Sequence, residues 1–93
     1  ILAEEGFVSV YAVVETTTGT ILAGPHIQAR GVAEDDSVFE EILPDVTEAL
    51  SAALETGKAD AYSLQQVMRR TLGRWIGRRL RRRPMIVPVV IEA

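Results

Sequence analysis

Ninety-three residues, 47% of them hydrophobic and 25% charged, suit one folded domain spanning 1–93 and argue against a disordered chain. Cysteine is absent and histidine occurs once, which excludes a disulfide framework, a thiolate nucleophile and a histidine-rich metal centre within the chain. The net charge of −3 hides a segregation: residues 69–83 hold eight arginines and no acid, while the rest holds all thirteen acids and only Arg30 and Lys58 as bases.

The stretch GFVSVYAVVETTTGTILAG predicts a β-hairpin. Phe7 to Val14 is rich in β-branched and aromatic residues. TTTG supplies the turn, and Gly19 is free to take a positive φ there. The return strand starts at Ile21 and Leu22 and continues through GPHIQARGV, with a break expected at Gly24-Pro25. AEDDS is a polar break.

The first helix is expected from Ser37, where Ser37 and Glu40 give an S-x-x-E capping pattern. Phe39, Leu43, Val46, Leu50 and Leu54 follow at helical spacing, and Gly57 fits the stop. Pro44 lies too deep for a helix begun at Ser37. Either the first turn is separate and the main helix begins near Pro44, or the helix kinks. The second helix shows the same pattern at Ser63 and Gln66, then an apolar stripe of Leu64, Val67, Met68, Thr71, Leu72, Trp75 and Ile76. Arg70, Arg74 and Arg81 project opposite that stripe. Arg79 would fall inside it, so the helix is expected to end near Arg78 to Leu80.

RPMIVPVVIEA gives a last strand, in which Pro88 must turn its missing N–H toward an open edge or a bulge. The order β-β-α-α-β predicts an α+β fold: a three-stranded sheet with two helices on one face. The other face should then be polar, yet both alternating sets of the first and last strands are mostly apolar. A second surface is therefore expected to cover the sheet, with Phe7, Tyr11, Val13, Ile86 and Val90 as interface candidates. The alternative is shielding by twist and long neighbouring side chains.

No catalytic constellation is visible. His26 lacks a partner, and Glu34 to Asp36 read as charge favoured by a helix N-terminus rather than as a hard-metal site. Catalytic and metal residues are thus expected to be none. The arginine cluster has three readings: cations near a helix C-terminus, pairing with acids, or phosphate contact through Arg70, Arg74, Arg78, Arg81, Arg82 and Arg83. Only Trp75 interleaves with it, and Trp75 lies in the apolar stripe, so base stacking is poorly served. Gly73 and Gly77 would let another element approach the helix, but tolerated surface glycines are the favoured reading. The longest apolar run, Met85 to Ile91, falls short of the ~20 residues that span a bilayer, so no membrane partner is expected. The opening ILAEEG lacks a signal peptide and an initiator Met, which suggests a cytoplasmic piece of something longer.

GPHIQARGV followed by LQQVMRRTLGRWIGRRLRRRPMIVPVVIEA resembles the C-terminal domain of ribonuclease J, a bacterial RNA-processing enzyme with a metallo-β-lactamase and β-CASP core. The resemblance runs from LAEEGFV to the end. It rests on Gly24, Pro25, Ile27, Arg30 and Gly31, on Arg70, Thr71, Gly73, Arg74 and Trp75, and on Arg81 to Ile86 with Pro88 and Glu92. His26 departs from an acidic residue often found there. The arginine-rich, lysine-poor usage suggests a high-GC bacterium. The resemblance implies a non-catalytic module that assists subunit assembly and full nuclease activity. It also implies zinc or another divalent metal in the parent core, held by an H-x-H-x-D-H motif that this chain lacks. Implied partners are the chain's own copies, the parent nuclease core and, in the alternative reading, RNA.

Overall fold

The computed structural model describes residues 6–93. Strands β1 (Phe7–Glu15) and β2 (Thr20–Arg30) form the hairpin, and β3 (Met85–Glu92) ends the chain. The sheet order is β2-β1-β3, with β1 antiparallel to β2 and parallel to β3. The expected α+β layout of three strands and two helices holds, as a mixed sheet with a short 3-10 helix added before the first α-helix. Gly19 takes φ 70° in the turn, and its N–H donates to the Glu15 carbonyl. The expected break in β2 is a register shift opposite Tyr11 to Val13. There Gly24 takes φ 83°, and a Cβ at Gly24 would stand 2.7 Å from the Tyr11 carbonyl oxygen, so only glycine fits.

The proline conflict resolves into two pieces. A 3-10 helix, Asp36–Glu41, precedes α1 (Leu43–Glu55), whose first turn holds Pro44 where no N–H is needed. Both expected caps move upstream. Asp35, not Ser37, caps the short helix by accepting from the Ser37 N–H, and Asp60 caps α2 (Ala61–Arg79). Ser63 serves as the third helical residue, donating its N–H to Asp60 while its hydroxyl accepts from the Asp60 N–H. A carboxylate accepts more strongly than a hydroxyl, which favours the acids as caps.

Along β1, Val8, Val10, Ala12 and Val14 lose all exposure under the helices. Above them lie Val46, Leu50 and Leu54 of α1 and Leu64, Met68, Leu72 and Ile76 of α2, with Phe39 and Ile42 closing one end. The core of the described residues is wholly hydrophobic, with no buried polar or charged residue.

Candidate functional site

Two surfaces carry features that this core does not explain. The first is the sheet face away from the helices. In-register pairing of Phe7 with Met85, Ser9 with Val87, Tyr11 with Val89 and Val13 with Ile91 puts these residues on one side. Phe7 keeps 41% of its surface exposed, Tyr11 36%, Met85 44% and Ile91 51%, so the patch lies open. Tyr11 and His26 meet across the strands with ring centroids 5.1 Å apart, giving the lone histidine a cross-strand packing role on this face. At the two ends of the open face stand Arg30, opposite Phe7, and Glu15.

Of the five interface candidates, Phe7, Tyr11 and Val13 lie on this face. Ile86 and Val90 do not: they pair with Val8 and Ala12, Val90 is buried, and Ile86 packs on the core under the helices. Their places are taken by Met85, Val87, Val89 and Ile91. Both phases of the last strand are apolar, so only the pairing with β1 reveals which set faces out.

The free edge of β3 is blunted. Met85 and Ala93 donate their N–H groups to Gly6 and Val14, so the alternate residues Ile86, Pro88 and Val90 turn their backbone away from β1. Pro88 has no N–H to offer there, as its position in the sequence demands. The Val90 N–H is taken by the Gln65 side-chain carbonyl at 3.1 Å. An edge so treated resists strand addition.

The second surface is basic. Arg79, at the end of α2, makes a bidentate pair with Glu41, both contacts 3.1 Å. Hydrogen bonding to Glu41, and then its charge, hold the Arg79 guanidinium above its ordinary pKa. Beside it the rings of Phe39 and Trp75 pack at 5.5 Å. Arg79 thus fastens the 3-10 segment to α2, and the acid-pairing reading holds for this residue. Of the six phosphate candidates, Arg70, Arg74, Arg78, Arg81 and Arg82 are exposed and form no ion pair or hydrogen bond among the described residues; Arg83 is exposed too but engaged. They do not form one cluster. Arg74 and Arg78 border a groove with Asp45 and Glu48 of α1. Arg70 and Arg74 also border a hollow toward β3, together with Arg69, the first arginine of the 69–83 cluster. Arg81, just past the helix, holds φ 57°, a conformation usually left to glycine.

Among the described residues, no group of three or more His, Asp or Glu side chains is placed to hold a metal ion. No described helix is long and apolar enough to cross a membrane.

The family model for the Ribonuclease J C-terminal domain matches residues 1–93. The chain belongs to that family. It is 40% identical over 92 residues to Ribonuclease J of Mycobacterium tuberculosis, covering 99% of this chain and 16% of that protein. It is 38% identical over 92 residues to Ribonuclease J of Mycolicibacterium smegmatis, with the same coverage. Over 95 residues it is 32% identical to Ribonuclease J 2 of Staphylococcus aureus, covering 99% of this chain and 17% of the relative. The chain therefore spans about a sixth of the length of the relatives it matches. The resemblance seen in the arginine-rich tail is a true family relationship, and the 1–5 segment where it begins lies outside the described residues.

Proposed function

We propose that the chain serves a ribonuclease J as a docking module without cleavage chemistry of its own, and that a second copy of the chain covers its open sheet face. The observation that carries this is the apolar patch of exposed Phe7, Tyr11, Met85, Val89 and Ile91 with half-buried Val13 and Val87 among them, on a sheet whose opposite face is packed under the helices. Such contiguous patches mark interaction sites. Charge favours self-pairing. With two sheets face to face and their strands antiparallel, a two-fold axis brings the Arg30 end of one copy near the Glu15 end of the other. Each large apolar side chain buried there contributes about 1.5–3 kcal/mol before the costs of association. The blunted β3 edge directs assembly to the face rather than to strand addition.

Size exclusion with light scattering tests this. The wild-type chain is expected to elute as a dimer at high micromolar concentration, and Tyr11→Asp/Val13→Asp as a monomer with unchanged helical circular dichroism. A wild-type chain that stays monomeric would refute self-pairing and point to the nuclease core as occupant. Incubated with RNA and Mn²⁺ or Zn²⁺, the chain should leave the RNA intact. Cleavage that tracks with the protein peak through repurification would contradict a non-catalytic role.

A further inference from the structure

The basic residues divide by what stands beside them. On the α1 side of α2, Arg78 shares a groove with Asp45 and Glu48, which would repel an anion, while Arg74 borders both that groove and the β3 side. On the β3 side lie two hollows, of about 320 and 500 Å³. Both are bordered by Arg69 and Ile86. The smaller adds Arg70, Gly73 and Arg74; the larger adds Gln66 and Arg83, among others. No carboxylate of the described residues lines either one.

We propose that this shoulder between α2 and β3 binds the phosphate backbone of single-stranded RNA through Arg69, Arg70 and Arg74. It uses a different surface from the docking face, and it takes RNA rather than DNA as its ligand on the strength of the family membership. Arg70 and Arg74 lie one helical turn apart, ~6 Å along the axis. Arg69 stands beside Arg70 and borders both hollows, so the three arginines edge the smaller hollow and Arg69 links it to the larger. None makes an ion pair or a hydrogen bond among the described residues, so their forks are available to phosphate oxygens.

Gly73 lines the smaller hollow. It lies inside α2, where glycine costs about 1 kcal/mol relative to alanine. Its backbone does not require glycine, and a Cβ there would meet only Ile86 Cδ1, at an ordinary 3.4 Å. Neither φ nor core packing therefore demands glycine at this position. The missing side chain keeps the hollow open between Arg69, Arg70 and Arg74, with Ile86 as its apolar floor. The floor offers no aromatic ring, so contact is to the backbone, independent of base sequence and steeply weakened by salt.

Fluorescence anisotropy with a labelled oligouridine, across a salt series, tests the assignment in the 93-residue chain. The wild type should bind at low salt. Arg69→Gln/Arg74→Gln should bind about tenfold more weakly, with a salt slope shallower by roughly 0.7 for each phosphate no longer neutralised. Arg78→Gln/Arg81→Gln removes the same charge from outside the two hollows, Arg78 from the groove with Asp45 and Glu48 and Arg81 from just past the helix, and should change affinity less than about threefold. Gly73→Leu keeps every charge, fills the hollow and should still weaken binding. Equal losses in the two arginine pairs would show that net charge alone matters and overturn the site, as would a wild type that does not bind or an Arg69→Gln/Arg74→Gln chain that binds normally. The dimer-breaking Tyr11→Asp/Val13→Asp chain should retain RNA binding. Loss there would move the contact to the subunit boundary and overturn the shoulder.

Discussion

The two faces of the sheet are built from the same strand and end differently. Val8, Val10, Ala12 and Val14 disappear under the helices, while Phe7 and Tyr11, one residue out of phase, remain exposed. Hydrophobicity of β1 does not decide between them, since both sets are largely apolar. The decision comes from the helices, which have apolar stripes enough to cover one face: α1 contributes Val46, Leu50 and Leu54, and α2 contributes Leu64, Met68, Leu72 and Ile76. A strand apolar on both sides in a two-layer fold is therefore a statement about assembly as much as about folding.

The sharpest way to break the comparison is to truncate one residue on each side. Leu72 is fully buried above the covered face, so Leu72→Ala should cost about 2–5 kcal/mol through reduced burial and the cavity left behind. Val89 lies on the open face, and Val89→Ala in the dissociated monomer should stay within about 0.5 kcal/mol, as surface changes do. Urea melts of both variants check this. Comparable losses would mean that the open face is already packed within the monomer.

Much of the layout could be read from residue order. The hairpin turn, the break at Gly24-Pro25, the end of α2 and the edge position of Pro88 all followed from backbone chemistry local to those residues, while at Pro44 that chemistry left a separate first turn and a kink both open and the structure takes the first. The side of the sheet that Ile86 and Val90 face could not be read that way. It depends on β3 lying parallel beside β1 in register, a pairing between segments more than seventy residues apart in sequence. The role of Arg79 was hidden for a similar reason: Glu41 lies 38 residues away, on a segment whose 3-10 form had no sequence signature. The cap of α2 was missed differently. Asp60-x-x-Ser63 and Ser63-x-x-Gln66 both offer cap chemistry, and the carboxylate wins. At the basic surface the density of arginine was plain, but its division by Asp45 and Glu48 needed the α1–α2 packing.

The smallest effect concerns the layer that makes one face covered. Buried residues there are all hydrophobic, so the acid response of interest lies at the caps that start the short helix and α2. Asp35 accepts from the Ser37 N–H at 2.9 Å and Asp60 from the Ser63 N–H at 2.8 Å. Backbone bonds to Ser37 and Ser63, and then side-chain bonds to the same residues, lower both carboxyls below the ordinary 3.8. A carboxyl lowered in the folded state binds protons less readily there than in the unfolded chain. Its contribution is thus complete above the unfolded value, near pH 4, and is lost as pH falls through the lowered folded value. Both aspartates are fully exposed, so the change should be modest. Asp60→Asn keeps a good cap that does not titrate. Thermal melts between pH 6 and pH 3 should show a smaller fall in Tm for Asp60→Asn than for the wild type. Identical slopes would mean that the α2 cap carries none of the acid sensitivity, and that the helices hold to the covered face by apolar packing alone.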